Sequence, residues 1–223
     1  MSQQHIHHQY DIDLHNISSL FLEMAYLVET QLDLAIRTLQ KNDLALPQIV
    51  IQQEEKVDEY EIEIDALCSS IIARRQPIAS DLRLIIAISK MTTNLERIGD
   101  EANKIAKRAY RLISEQQLNG LETPELLEEA LLAFELLGKV IEAFEAKDPV
   151  QAQKIIESDK LLDGKFVQVL ERLTRYISSN SDEATVFMDL VFIAKGLERI
   201  GDHVQNIAEL IIYLIDNKDI RHI

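Results

Sequence analysis

The chain has 223 residues, of which 47% are hydrophobic and 27% are charged, and this balance excludes wholesale disorder. It contains only 6 glycines, 4 prolines and 5% aromatic residues, a composition that favours helices over sheet. The net charge of −15 argues against nucleic acid as a partner, because phosphate binding relies on clustered Lys and Arg. An anionic membrane surface would repel the chain for the same reason. Metal cations or a basic protein partner suit this charge better, although much of it solvates an acidic surface.

Three features of the sequence indicate where the protein works. The single cysteine, Cys68, cannot form an internal disulfide, which fits a reducing cytoplasm, and its apolar neighbours predict that it is buried. The N-terminus has no basic segment followed by an apolar one, so we expect no secretory signal. No stretch approaches about 18 uncharged apolar residues, so we expect no direct insertion into a membrane. The predicted location is the cytoplasm.

The first fifteen residues are polar and contain His5, His7 and His8. These histidines could bind a metal ion, but a short frayed tail is the preferred interpretation. We therefore predict that residues 1–15 form a disordered N-terminal tail.

Apolar residues at helical spacing predict six helices. Asn16 and Ser18 are potential caps of the first, and Pro47 marks the start of the second. Ser80 is the predicted N-cap of the third, and a break at residues 117–124 separates the third from the fourth. The first helix is predicted to end near KNDLALP (41–47), and the second to run from Pro47 to Arg75, closed by Gln76–Pro77. The others are predicted at about residues 80–115, 124–147, 149–178 and 183–217.

The phrase LERIGD occurs twice, at residues 95–100 and 197–202, and the two copies lie 102 residues apart. Acidic pairs in the two preceding helices lie 105 residues apart, so the two halves align with only a small insertion. An identical match in equivalent helices indicates a tandem duplication. The predicted fold class is therefore all-α, with two tandem three-helix bundles related by a pseudo-twofold axis. The predicted repeats are residues 16–118 and 119–223.

Four pairs of carboxylates are spaced four residues apart, and residues at this spacing share one face of a helix. Such a pair is repulsive by a few tenths of a kcal/mol, roughly, in an isolated helix. A cation bound between two helices would turn this repulsion into ligation, and iron, manganese, magnesium or zinc accept carboxylate oxygens. The candidate metal ligands are Glu54, Asp58, Glu96, Asp100, Asp159, Asp163, Glu198 and Asp202.

Gly99 and Gly201 stand inside helices, where glycine is less favourable than alanine by about 1 kcal/mol. A position without a side chain beside an acidic pair would let a neighbouring helix, or a metal-bound water, come close. The alternative is simple helix packing, with the acids on a solvated surface and paired with Arg97 and Arg199. The acids of the third helix lie at the margin of its apolar stripe, which favours a site between helices.

Other chemistry finds little support, because the sequence lacks a Gly-rich phosphate loop, a G-x-S-x-G motif and a C-x-x-C motif. Ferritin-type di-metal enzymes use Glu-x-x-His pairs, and no glutamate here is followed by histidine three positions later. His203 directly follows Asp202 and points about 100° away from it on the helix. We therefore expect no enzyme. A di-metal carboxylate enzyme and a metal-free helical oligomerisation module are the alternatives.

Two segments, residues 74–108 and 194–215, resemble the signature regions of the PhoU family of phosphate-signalling proteins. The first begins RRQPIASDLR, and each contains LERIGD. The resemblance covers nearly the whole chain from about Ile17 onwards. It implies paired three-helix bundles and multinuclear metal sites of iron or zinc, ligated by E(D)-x-x-x-D motifs that match the eight acids above.

The resemblance also implies a function. PhoU proteins are negative regulators of the phosphate-starvation response, thought to connect a phosphate ABC transporter, with its ATPase, to a sensor histidine kinase and to restrain phosphate uptake. The expected location is the cytoplasm, peripheral to the inner membrane through these protein partners. We expect a homodimer.

Two differences between the halves bear on the candidate metal sites. Family repeats commonly read G-D-x-x-x-N, and the second half keeps Asn206, a further candidate ligand, whereas the first half has Lys104. A lysine on that face would repel a cation. Asp159 replaces the longer Glu54 in the second half. We therefore expect the two sites to differ, with the second the more readily occupied.

Overall fold

The computed structural model describes residues 2–41, 43–115, 123–179 and 183–220. Within these ranges the chain forms six helices and no strand, which confirms the predicted all-α fold. Among the described helices, none combines the length and the hydropathy that a membrane-spanning helix needs. The helices are α1 (Ser2–Lys41), α2 (Leu46–Arg75), α3 (Ala79–Ser114), α4 (Pro124–Ala146), α5 (Pro149–Ser179) and α6 (Ala184–Asp216).

The helices pack as two bundles of three. Helices α1, α2 and α3 contact one another, and α4, α5 and α6 do the same. The bundles meet where α3 packs against α6 and α1 packs against α4, so equivalent helices face each other. This is the arrangement that a pseudo-twofold axis between duplicated halves produces.

The core follows from the apolar periodicity of the helices. On α3 the predicted stripe is buried from Ala87 through Met91 and Leu95 to Ile105. Phe21 of α1 and Phe144 of α4 meet edge to face across the two bundles, with ring centroids 4.6 Å apart. Such a pair contributes about 0.5–1.5 kcal/mol beyond its buried area. Cys68 is 4% exposed, as predicted.

Proline and a left-handed cap set the limits of α2. Pro47 lies in its first turn, where a missing N–H is tolerated. Gln76 adopts φ 50° at its C-cap, and its backbone N–H donates to the carbonyl of Ile72 at 3.2 Å. Because the residue before proline disfavours helical geometry, the helix ends here, as the Gln76–Pro77 dipeptide predicts.

Two predicted helix starts are wrong. α1 begins at Ser2 rather than at the Asn16 and Ser18 caps, so the expected disordered tail over residues 1–15 is helical from Ser2. The hydroxyl of Ser18 donates to the carbonyl of Leu14 inside the helix instead of capping it. α3 begins at Ala79 with extended Ile78 as its N-cap, so Ser80 lies within the helix.

Contacts distant in sequence hold the part of α1 that directly precedes the predicted caps. The hydroxyl of Tyr10 donates to Asp81 of α3 at 2.9 Å. Arg75 at the end of α2 donates to Asp13 at 3.0 Å. These tertiary contacts outweigh the local capping signals on which the prediction depended. The Asn119–Gly120 break, the boundary between residues 118 and 119, and the side chains of His5, His7 and His8 lie outside the described residues.

Candidate metal centres in two acidic clusters

The predicted acids of the first bundle come together between α2 and α3. We call Glu54, Asp58, Glu96 and Asp100 the first cluster. Glu54 and Asp100 are half-buried and share a hydrogen bond across the helix interface. Burial first, then this bond and the charges of Asp100 and Asp58, raise the pKa of Glu54 to about 7. Glu54 therefore keeps its proton up to near neutral pH and can donate it to Asp100, at a place where a cation would relieve the repulsion between the two groups.

The other two members differ in exposure. The side chain of Glu96 is 16% exposed, whereas Asp58 is exposed. Burial raises the pKa of Glu96 against the opposing charge of Arg97, and the charges of Asp100, Glu61 and Asp58 add to the rise. The predicted marginal position of Glu96 is confirmed, because this carboxylate does not lie on a fully solvated face.

Basic side chains contact the first cluster directly. Arg97 Nε lies 3.3 Å from Glu96 Oε2, in an ion pair without hydrogen-bond geometry. Lys104 Nζ lies 3.4 Å from Asp100 Oδ2 and 3.1 Å from Glu101 Oε1. Arg97 and Lys104 therefore compete with any cation for the first cluster.

A buried amide from α1, absent from the predicted ligands, also reaches the first cluster. Gln31 is fully buried, and its Nε2 donates to Glu54 Oε2 at 3.2 Å and to the carbonyl of Val50 at 3.4 Å. Among the described residues its Oε1 has no hydrogen-bond partner. One buried neutral oxygen, on Gln31, thus lies beside the four carboxylates of the first cluster.

The acids of the second bundle meet between α5 and α6. We call Asp159, Asp163, Glu198 and Asp202 the second cluster. Burial first, then the charges of Asp163, Asp202, Glu198 and Glu209, raise the pKa of Asp159 to about 6. Burial is also the largest cause of the raised pKa of Asp202. These mutual effects show that the four carboxylates interact although they lie on two helices.

One lysine contacts the second cluster. Lys195 Nζ lies 2.5 Å from Glu198 Oε2, one turn away on the same helix. Arg199 is directed elsewhere, because its guanidinium pairs with Glu101 of α3 at 2.7 Å. Asp159 and Glu198 are half-buried, whereas Asp163 and Asp202 are exposed. The second cluster is therefore less neutralised than the first among the described residues.

A second buried polar residue was absent from the predicted ligands. Glu129 of α4 is fully buried, and among the described residues neither of its carboxylate oxygens has a hydrogen-bond partner. Burial first, then the charge of Glu198, raises its pKa to about 9. Its sequence position carried a signal, because Glu129 is in phase with the buried Leu126 and Ala133.

The glycines provide the predicted close approach. A Cβ on Gly201 would overlap the side chain of Leu162 on α5 and lie 3.2 Å from Asp159 Oδ1. A Cβ on Gly99 would lie 3.0 Å from Gln31 Oε1 and 3.5 Å from Val57. Each LERIGD glycine therefore brings the helix next to an acidic pair into direct contact with its neighbour.

The structure does not direct Asn206 into the second cluster. Its amide nitrogen donates to Asn94 Oδ1 of α3 at 3.3 Å, and Nδ1 of His203 lies 3.0 Å from the same oxygen. His203 thus points away from Asp202, as its helical position predicts. Burial first, then the charge of Arg199, lowers the pKa of His203. These side chains belong to the interface between the bundles.

The donors fit a hard cation, although the side chains are not arranged around one. Among the described residues, no group of three or more Asp, Glu, His or Cys side chains has a metal-binding geometry. Buried oxygens without hydrogen-bond partners nevertheless border both clusters, on Gln31, Glu96 and Glu129. Carboxylate and amide oxygens are the donors that hard cations accept. Binding would require side-chain rotation and displacement of Lys195 or Lys104.

Comparison with known proteins shows the family to which the chain belongs. The PhoU domain matches residues 21–109 and again residues 126–211. The chain belongs to the PhoU family. Within this family it is 37% identical over 224 residues to the phosphate-specific transport system accessory protein PhoU homolog of a Burkholderia species, covering 100% of this chain and 95% of that protein.

Another relative and one solved structure support membership of the same family. The phosphate-specific transport system accessory protein PhoU of Escherichia coli K12 is 36% identical over 220 residues, covering 99% of this chain and 90% of that protein. The crystal structure of PhoU from Pseudomonas aeruginosa superposes with a TM-score of 0.87 at 36% identity. That alignment covers 94% of this chain and 100% of the other. The resemblance read from the two LERIGD regions is confirmed.

Proposed function

We propose that this chain is a negative regulator of the phosphate-starvation response. In this role it links a phosphate ABC transporter to its sensor histidine kinase and restrains phosphate uptake. The observation that carries the proposal is PhoU-family membership along the whole chain, with relatives that are named accessory proteins of phosphate-specific transport systems. The protein acts at the inner face of the membrane through protein partners and as a homodimer.

The role is that of an adaptor and not of an enzyme. Gln31 is buried beside the first cluster, Glu101 and Asp189 are buried where they pair across the contact between the bundles, and the sequence offers no nucleophile motif for them to serve. Contacts with the transporter ATPase and the kinase would form on the outer faces of the helices.

We propose further that both acidic clusters bind metal ions. The Glu54–Asp100 pair supports this, because a carboxyl group that holds a proton near neutral pH beside a second carboxyl group can exchange that proton for a cation. Iron or zinc is the expected ion, and manganese or magnesium suits the same oxygen donors. A bound ion would supply positive charge that holds α2 to α3 and α5 to α6. The protein residues would orient the carboxylates and exclude water from their buried side.

A deletion strain tests the regulatory role. In phosphate-replete medium, loss of this chain should switch on a reporter of phosphate-starvation genes, and expression of the intact chain should restore repression. Continued repression in the deletion strain would contradict the proposal. Co-purification of the intact chain with the transporter ATPase and with the kinase tests the adaptor role, and capture of neither partner would oppose it.

Elemental analysis tests the metal sites independently. Untagged wild-type protein should carry metal that an Asp100→Ala/Asp202→Ala double variant lacks, because each substitution removes one carboxylate from one cluster. An Asp58→Asn/Asp163→Asn variant should carry an intermediate amount of metal, because it changes one exposed carboxylate in each cluster. Equal and negligible metal in the wild type and the double alanine variant would reject metal binding and favour a metal-free helical module.

A further inference from the structure

We propose that the outward face of α2 is the surface on which two copies of this chain pair, with their α2 helices antiparallel about a twofold axis. The inference rests on the homodimer proposed above and assigns a surface to it. It is supported by the exposed apolar side chains of this face, by the spacing of its residues, and by two opposite charges that lie on either side of its midpoint.

Apolar side chains are exposed along α2 and at the adjoining part of α3. On α2, Ile62 is 71% exposed and Ile72 is 41% exposed. Ile78, the N-cap of α3, is 78% exposed, and Ile86 within α3 is 37% exposed. Single exposed apolar residues are common on protein surfaces, but four isoleucines on two helices that pack together favour a contact with another protein surface.

The residues of α2 form two series, one buried and one exposed. The buried series repeats every seven residues and consists of Val50, Val57, Ile64 and Ile71. The exposed series is spaced alternately by four and three residues and consists of Glu55, Glu59, Ile62, Ala66, Ser69 and Ala73. Alternate spacing of this kind is typical of a helix that packs along another helix. Because the buried series packs within the first bundle, the exposed series is open to a helix of a second molecule.

The exposed series is complementary to itself in the antiparallel direction. A twofold axis midway between Ala66 and Ser69 places Ile62 of one copy opposite Ala73 of the other, so a large side chain meets a small one. Small residues then lie at the crossing, where the two helix backbones come nearest. Each contact occurs twice, because a twofold interface uses the same surface of both copies.

Two opposite charges on this face have no ion-pair partner within the described part of the chain. Glu63 and Arg74 are both exposed and lie eleven residues apart, about three helical turns, so they share one side of α2. Arg74 Nε donates to the carbonyl of Ser70 at 3.3 Å, which leaves its charge unpaired. The antiparallel register brings Arg74 of each copy next to Glu63 of the other. This exchange offsets repulsion between two chains that each carry a net charge of −15.

The equivalent face of α5 lacks this complementarity. With the offset of 105 residues between the preceding helices, Val167 takes the place of Ile62 and Glu171 takes the place of Ala66. No basic residue takes the place of Arg74. The same pairing of two α5 helices would therefore bring carboxylates of both copies close to the axis without a cation to offset them. The face of α2 is thus the better surface for a second copy.

Sedimentation equilibrium of the untagged, full-length chain tests the proposal. The wild type should be a dimer, and Ile62→Lys should raise its dissociation constant by about tenfold or more, because a charge replaces a central apolar contact. Ile62 is 71% exposed within one copy, so the variant should fold, which circular dichroism checks. Val167→Lys is the matched control on α5, where Val167 is 52% exposed, and it should leave the dimer unchanged.

A charge exchange tests the antiparallel register. Arg74→Glu and Glu63→Arg should each weaken the dimer by about tenfold, because each variant places like charges side by side twice in the interface. The double variant Arg74→Glu/Glu63→Arg should restore the wild-type affinity. A dimer that stays weak in the double variant would overturn the register. A tighter dimer in Glu63→Arg would also overturn it, because net charge alone would then govern the association.

The outcomes separate this surface from the proposed function. A dimer that Ile62→Lys leaves intact would overturn the α2 face and leave the homodimer standing. A wild type that is monomeric at every concentration tested would overturn both, and loss of the transporter ATPase from co-purification with Ile62→Lys would then assign the face to that protein. An equal effect in Val167→Lys would overturn the inference as a general effect of charge. The deletion-strain reporter tests the regulatory role independently of these results.

Discussion

Glu54 on α2 and Asp100 on α3 share a hydrogen bond between two carboxyl groups, in a chain that carries a net charge of −15. One of the two groups must hold a proton for this bond to form, since a carboxylate only accepts. Repulsion inside the bundle is thus relieved by a proton, and the same position would suit a metal ion. The pair therefore couples the stability of the first bundle to pH and to cations.

We expect Glu54→Gln to reduce the pH dependence of stability in the metal-free protein. The folded pKa of Glu54 is about 7 and its ordinary value is 4.5, so the stabilising proton is fully bound below pH 4.5 and is lost as pH rises through 7. Between pH 5 and 7.5 the variant should gain about 1 kcal/mol relative to the wild type, a figure lowered for solvent screening of a half-exposed group.

Urea unfolding at both pH values measures this difference. Glu59→Gln is the matched control, because Glu59 is exposed on the same helix and should leave the pH dependence unchanged. If the Glu54→Gln variant kept the wild-type dependence of stability on pH, the raised pKa of Glu54 would be contradicted.

We expect Gly201→Ala to destabilise the second bundle. The new Cβ would overlap Leu162 and crowd Asp159 Oδ1 at 3.2 Å, and crowding of this kind is destabilising by about 1–3 kcal/mol. Gly164→Ala is the matched control on α5, where a new Cβ meets no atom within 4 Å. That substitution should stabilise the protein by about 0.5–1 kcal/mol, because alanine is the better helix former.

Thermal unfolding of the two glycine variants gives the comparison directly. Opposite shifts of the melting temperature are expected, downward for Gly201→Ala and upward for Gly164→Ala. An upward shift in both variants would mean that a methyl group at Gly201 fits between α6 and α5 without crowding. That result would contradict the close helix contact that the glycine is argued to allow.

The helices and the acidic pairs could be predicted because their signals are local. Apolar spacing fixes which face of α3 is buried, and the same spacing places Glu96 at the margin of that face. The repeat then indicates the equivalent face of α6. These inferences need only the geometry of one helix and the duplication.

The errors and omissions arise from contacts that the local sequence does not contain. The part of α1 before the predicted caps is held by the contact of Tyr10 with Asp81, 71 residues away, and by that of Asp13 with Arg75. Glu129 lay in phase with an apolar stripe, but its proximity to Glu198 depends on how α4 packs against α6. The apolar periodicity of a helix shows which side of the helix a residue lies on. It does not show which side chain of another helix lies opposite that residue.

We expect Asp189→Asn to weaken the contact between the two bundles. Asp189 of α6 is 1% exposed, and its Oδ1 accepts hydrogen bonds from Arg108, at 2.7 Å, and from Arg111 of α3. Asparagine keeps an oxygen that can accept these bonds but removes the negative charge. The expected loss is therefore at the lower end of the about 1.5–3 kcal/mol that hydrogen bonds to charged groups contribute, also because both guanidinium groups can return to water.

Asp33→Asn is the control for this substitution. Asp33 and Arg37 form an exposed pair four residues apart on α1, and such pairs contribute roughly 0.5 kcal/mol or less. Chemical denaturation of both variants should show a clear loss of stability for Asp189→Asn alone. Equal effects would indicate that the buried ion pair adds nothing to the joining of the bundles.

We expect Lys104→Asn to strengthen metal binding at the first cluster. Lys104 Nζ lies 3.4 Å from Asp100 Oδ2, where it competes with a cation, and the second half has Asn206 at the equivalent position. At an effective dielectric constant near 20, a unit charge about 4 Å away interacts by about 4 kcal/mol, and solvent reduces this for an exposed lysine. A gain of roughly tenfold in affinity corresponds to about 1.4 kcal/mol and lies within that range.

Zn²⁺ titration by calorimetry in an Asp202→Ala background isolates the first cluster for this measurement. Lys107→Asn is the matched control, because this substitution removes the same charge from the same helix. Lys107 is exposed, and in the described structure it does not contact the first cluster. A gain confined to Lys104→Asn would show that the lysine makes the duplicated halves unequal. A similar gain in Lys107→Asn would assign the effect to net charge, and no gain in either would mean that Lys104 moves aside when metal binds.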